Sequence, residues 1–129
     1  MAKTRNGPTV ILVGRTKQAL YLATQVSADA WVIVAENLDG LKKQMAKQGV
    51  TNVTMLVVTD EIDDGTGEST LIKNKNLFAW IKRQSGFLGP VLFVGAYMNY
   101  MNAFKRNKAC THTAYWNDAA NVTHKVLTK

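Results

Sequence analysis

A doubly wound α/β fold, five parallel strands in the order 2-1-3-4-5 between two layers of helices, is predicted for this chain of 129 residues. Short unbroken apolar runs recur along it, as strands buried on both faces require. Longer stretches lie between them, with apolar residues at helical spacing. No linker, repeat or low-complexity tract interrupts the alternation. Five β/α units joined by right-handed crossovers leave few other arrangements. The length is that of one domain covering residues 1–129, with residues 1–8 expected as a flexible N-terminal tail.

Val10 to Val13 is the first strand, and Thr16 can cap a helix whose inner stripe is Ala19, Leu22 or Ala23, and Val26. Trp31 to Ala35 is the second strand. Asn37 then caps a helix with Leu38, Leu41 and Met45 inside and Gly49 as its stop. Val53 to Thr59 is the third strand, followed by a long polar loop from Asp60 to about Glu68. A helix from about Ser69 or Thr70 turns Phe78 and Ile81 inward and ends near Ser85-Gly86. Pro90 to Ala96 is the fourth strand, its proline at the first position where a missing donor does least harm. Asn99 to Lys108 reads as a short helix, Thr111 to Tyr115 as a fifth strand, and Asp118 as the cap of a last helix running from Ala119 to about Leu127.

Sheets of this kind collect ligands at the carboxyl ends of their strands, near the point where strand order reverses. The residues to read are therefore Gly14, Arg15 and Thr16; Glu36 and Asn37; Thr59, Asp60 and Glu61; Gly95 and Ala96; Tyr115 and Trp116. A lone carboxylate at Asp60, facing a guanidinium at Arg15, is a poor site for a divalent cation and a good one for an ion pair. Neither a metal nor a cofactor is expected.

The charge is +7, from 16 Lys and Arg against nine Asp and Glu, so an anionic partner has to be considered. The cations fall in small groups, Lys42, Lys43 and Lys47, then Lys73 and Lys75, then Lys82 and Arg83, then Lys105, Arg106 and Lys108. Each group sits where an exposed helix face is expected, and a solvated face is its ordinary use. The acids are less even: Asp60, Glu61, Asp63, Asp64 and Glu68 are five of the nine. An EF-hand beginning at Asp60 would put Ile62, Gly67 and Leu71 at key positions, the first and last of them where oxygen ligands are needed, so that loop is not one. One cysteine, Cys110, excludes an intrachain disulfide framework and a cysteine-based zinc cluster, and it is expected as a buried, inert thiol. The cytoplasm is the expected compartment, with no membrane insertion.

The chain resembles the receiver domain of two-component response regulators over nearly its whole length, in element count, total length and spacing. Val34-Ala35-Glu36-Asn37-Leu38-Asp39-Gly40-Leu41 looks like the second strand and helix of that family, and Pro90-Val91-Leu92-Phe93-Val94-Gly95-Ala96 like its fourth strand. The resemblance implies a flavodoxin-like, receiver-like three-layer sandwich and a place in phosphorelay signalling. In the family an acidic pair after the first strand and an aspartate ending the third hold magnesium, and that aspartate accepts a phosphoryl group. Asp60 falls on the acceptor, but the acidic pair falls on Gly14 and Arg15. The hydroxyl that reads the phosphoryl group falls on Gly95, the lysine closing the fifth strand on Tyr115 and Trp116, and the aromatic switch position on His112. Phosphoryl transfer needs cations on the transferring oxygens and several oxygen ligands for the metal. The resemblance therefore implies a degenerate, pseudo-receiver type: no enzyme, with Arg15 paired to Asp60 as a fixed substitute for the cation.

Receivers use the fourth helix and fifth strand for partner contact, which here directs attention to Tyr97, Tyr100, Met101, Lys105, Arg106, Lys108 and His112 as a surface for an acidic protein or a second copy. Aromatic, methionine and arginine side chains suit such surfaces. Two other uses of the fold stay open. One is a basic nucleic-acid-associated module, which no known motif accompanies. The other is a binder of a small phosphorylated ligand at Gly14–Lys17, where a strand meets a helix start and two cations are at hand, though without Walker or dinucleotide glycine spacing. His112 and His124 lie on different elements with no Ser or Cys in a triad arrangement, which disfavours nucleophilic catalysis.

Overall fold

A computed structural model of the chain describes residues 8–14, 17–36, 38–50, 52–59, 77, 79–84, 86–87, 89–95 and 110–128. Strands β1 (Thr9–Val13), β2 (Trp31–Ala35), β3 (Met55–Thr59), β4 (Val91–Gly95) and β5 (His112–Tyr115) form one parallel sheet in the order β2-β1-β3-β4-β5. This is the expected doubly wound order, a flavodoxin-like arrangement. Helices α1 (Lys17–Val26), α2 (Leu38–Gln48) and a C-terminal helix (Ala119–Leu127) pack on it, together with helical residues 79–84.

Side chains alternate across a strand, and the apolar runs split accordingly into two cores. Ile11, Val13, Ile33, Leu56, Val58 and Phe93 meet Leu41 and Met45 of α2 and Leu77 and Ile81 on one face. Val10, Leu12, Met55, Val57, Leu92 and Val94 meet α1 and the C-terminal helix on the other. Every residue of the central strands β1 and β3 is buried, and each such Val, Leu or Ile contributes about 1.5–3 kcal/mol over an exposed one. The stripe Ala19, Leu22, Ala23, Val26 seats α1 as its spacing predicts. Leu38 is only half-buried but packs against the α2 core.

Helix ends follow local rules. Gly49 has φ 65, and Val50 N–H donates back to Met45 O at 3.0 Å, the six-to-one bond of a Schellman stop. Gly86 has φ 66 and donates to Lys82 O at 2.8 Å, closing residues 79–84 with the simpler left-handed cap. Asp118 departs from expectation: it makes no side-chain cap bond. It belongs to a 3-10 turn, Trp116–Asp118, and its φ of −116 and ψ of −4 leave the extended geometry a capping side chain needs. The chain enters the helix through that turn instead, with Ala119 N–H donating to Trp116 O.

The third, fourth and fifth strands are shorter than their apolar runs. Thr54, inside the expected third strand, exchanges bonds with Thr9: its N–H donates to Thr9 O at 2.8 Å, and its Oγ1 accepts from Thr9 N–H at 3.1 Å. Pro90 precedes β4, its carbonyl accepting from Leu56 N–H at 3.1 Å. Thr111 precedes β5 and bonds Val91 through both main chain and hydroxyl. Pro8 O accepts from Trp31 N–H at 2.9 Å; the rest of the expected tail, residues 1–7, lies outside the described residues. Cys110 is half-buried against the α2-side core. The expected helix Asn99–Lys108, the inward Phe78, and the caps Thr16 and Asn37 fall outside the described residues. None of the helices among the described residues is long and apolar enough to cross a membrane.

Candidate functional site

The strands run parallel, so their carboxyl ends share one edge, where Gly14, Glu36, Thr59, Gly95 and Tyr115 stand. Gly14 is buried, and its N–H donates to Ala35 O at 2.9 Å. It extends the β1–β2 ladder by one residue and offers no side chain. Thr59, fully buried, donates its hydroxyl to Val13 O at 3.2 Å and ties β3 to β1. Gly95 is buried and stands in register with Tyr115, which is 42% exposed. Two strand ends that could carry reactive side chains are therefore bare, and the edge strand ends in an exposed phenol.

Among the expected site residues, Arg15 and Asp60 lie outside the described residues, as do Tyr97, Tyr100, Met101, Lys105, Arg106 and Lys108. His112 is described. It opens β5, half-buried, with its Nδ1 2.8 Å from Thr111 Oγ1. Strand alternation sets it on the face opposite Tyr115, and its register partner Leu92 lies near the other end of the sheet from Gly95. His112 and Tyr115 therefore do not share one face. Among the described residues no group of three or more His, Cys, Asp or Glu side chains comes together.

Two cavities flank the carboxyl edge. A cleft of about 260 Å³ lies over the ends of β1 and β2, lined by Gly14, Leu20, Val34, Ala35, Glu36, Gly40 and Gln44. A larger groove of about 400 Å³ separates α1 from the C-terminal helix, and Gln18, Tyr21, Gln25, Trp116, Asn117 and Asn121 line it with neutral amides and rings. The smaller cleft joins a carboxylate to two glycine backbones at the carboxyl edge of the sheet.

Residue reading missed two juxtapositions. Lys42, Lys43 and Lys47 on α2 and Lys82 and Arg83 on residues 79–84 are all exposed and flank the same face of the sheet. Lys42 Nζ lies 5.8 Å from the centroid of the Trp80 ring, which fixes the two helical segments as neighbours. One cation of the first group thus reaches the segment that carries the second. The second juxtaposition is the cleft itself, which brings Glu36 at the end of β2 beside Gly14 and Gly40.

Comparison of the chain with protein-family models, with curated proteins and with solved structures found no match.

Proposed function

We propose that the chain is a non-enzymatic pseudo-receiver: a signalling module that docks a protein partner through the 97–108 segment and the β5 edge, without metal-dependent aspartyl phosphorylation. The observation that carries this reading is the pair of bare strand ends. In a sheet ordered β2-β1-β3-β4-β5, β1 runs into buried Gly14 and β4 ends at buried Gly95. An active receiver needs carboxylates at the first and a hydroxyl at the second, and a glycine supplies neither. On this reading Arg15, next in sequence, is the fixed charge that serves the acceptor-equivalent Asp60 in place of an exchangeable cation.

The test is intact-mass measurement after incubation with acetyl phosphate and magnesium, with Asp60→Asn as control. The parent is expected to gain no phosphate. An adduct on the parent that the Asn variant lacks would overturn the reading. For the docking face, reversing the charge of Lys105 and Arg106 is expected to weaken partner capture or self-association while shifting Tm by no more than a degree or two; unchanged capture would remove that face.

A nucleic-acid-associated role is the second reading, and the exposed cations of the neighbouring segments α2 and residues 79–84 are what favour it. Five exposed cations on two adjacent helical segments are available to phosphates. On this reading, affinity for a DNA duplex falls steeply with salt, and replacing Lys43, Lys47, Lys82 and Arg83 by Gln flattens the slope.

A further inference from the structure

We propose that the groove between α1 and the C-terminal helix binds a neutral oligosaccharide, its hydroxyls on the side-chain amides of Gln18, Gln25, Asn117 and Asn121 and its C–H faces against Tyr21 and Trp116.

The lining first rules on charge. Of the described residues that form the groove, none is Lys, Arg, His, Asp or Glu, although the chain carries 16 Lys and Arg and nine Asp and Glu. An ion leaving water for this groove would meet no counter-charge there, so the ligand it suits is neutral.

The polar groups then set the chemistry of that ligand. A carboxamide offers two N–H donors and an acceptor oxygen, and a hydroxyl is likewise donor and acceptor at once. The two pair in either sense. Gln18, Gln25, Asn117 and Asn121 are all exposed, and none of their side chains is hydrogen-bonded to another described residue. The amides of α2 contrast with them, since Gln48 Nε2 donates to Gln44 Oε1 at 2.9 Å and the two occupy each other. Four unoccupied amides in one groove suit a ligand with many hydroxyls.

Spacing and rings narrow the class. Gln18 and Gln25 stand two turns apart on α1, about 10 Å along its axis, and Asn117 and Asn121 supply the other wall from the 3-10 turn and the C-terminal helix. A nucleobase gathers its donors and acceptors on the rim of one small plane, whereas these amides are strung along two walls, as hydroxyls are strung along a sugar chain. Tyr21 is 66% exposed and Trp116 half-buried. An aromatic face is the negative part of the ring quadrupole, and it attracts the C–H bonds of a pyranose, which the adjoining oxygens polarise. Leu22 and Ala120 complete the lining. A peptide docks by extending a strand edge or by laying an apolar helix face in an apolar groove; helical walls set with amides offer neither. The volume, about 400 Å³, lies within the range of small-ligand sites.

The inference does not rest on the pseudo-receiver reading, whose readouts are a phosphate adduct and partner capture. The experiment is two-dimensional amide NMR of the full chain with maltose, cellobiose and N,N′-diacetylchitobiose as probes, adenosine and tetraglycine as competing classes, and Tyr21→Ala and Asn121→Ala as variants. At least one disaccharide is expected to move the amides of Gln18, Tyr21, Gln25, Asn117 and Asn121 saturably at millimolar concentration, leaving those of Gly14 and Glu36 in place. Tyr21→Ala is expected to weaken that disaccharide by about tenfold, and Asn121→Ala by less. Both positions are exposed, so an unchanged melting curve separates lost binding from lost fold. The inference is overturned if none of the three disaccharides moves these amides, if Tyr21→Ala binds as the parent does, or if adenosine or tetraglycine moves them at lower concentration than every sugar.

Discussion

Among the described residues, lead-in and side-chain bonds lace the amino ends of the strands, whereas the carboxyl ends show bare glycines beside the single hydroxyl tie of Thr59 to Val13 O. At the amino end Thr9 and Thr54 exchange two bonds across β1 and β3, Thr111 clasps Val91 with its hydroxyl and its N–H, and Pro8 O receives Trp31 N–H. The left-handed glycines that stop α2 and residues 79–84 precede β3 and β4 on this side as well. At the carboxyl end β1 and β4 run out in glycine, a cleft opens beside β1, and among the described residues the exposed side chains are Glu36 and Tyr115. Register and helix termination are visibly secured at the amino end. Substitutions at the two ends should accordingly fail in different ways: stability at the first, binding at the second.

The largest stability loss is expected from Gly89→Ala at the amino end. A Cβ there would come 2.8 Å from both Phe87 Cε1 and the main-chain Thr54 O, and the carbonyl cannot swing aside without disturbing the Thr9–Thr54 exchange. Overpacking of this kind costs about 1–3 kcal/mol, readable in urea unfolding. A variant as stable as the parent would show that the amino end is looser than its bonds imply. Next comes Gly49→Ala, which forces a Cβ into the left-handed region at about 1–2 kcal/mol; calorimetry should show a lower Tm with the helix content kept.

Thr111→Val removes the hydroxyl that both accepts from Val91 N–H and donates to Val91 O, while retaining the volume. About 1 kcal/mol is expected, since the site is exposed and water can replace part of the bond. The smallest stability effect belongs to the carboxyl end: Glu36→Ala should change unfolding free energy by less than about 0.5 kcal/mol. If Glu36→Ala destabilised as much as Thr111→Val, the two ends would not differ in the way described.

Regions governed by short-range rules were legible in the sequence. Unbroken apolar runs located the strands because parallel strands are buried on both faces, and Gly49 and Gly86 marked helix ends because only glycine adopts their φ easily. Strand starts were read too long, since Thr54, Pro90 and Thr111 continue the polypeptide's direction while bonding as lead-in residues rather than within the strands. Asp118 looked like a cap because capping depends on side-chain type, while the outcome here depended on a 3-10 turn fixed by packing after β5. The approach of Lys42 to Trp80 and the cleft could not be read from local pattern. Both arise from which helix lies beside which, and that is settled only when the sheet has formed.

On the pseudo-receiver proposal the carboxyl end has the frame of a phosphate-accepting domain without its metal chemistry, and magnesium titration followed by amide NMR is the sharpest check. Gly14 and Gly95 flank the end of β3 on either side, so a metal held there would move both resonances. Both are expected to stay in place through low-millimolar magnesium. A saturable shift of Gly14 and Gly95 together, absent in Asp60→Asn, would contradict the account.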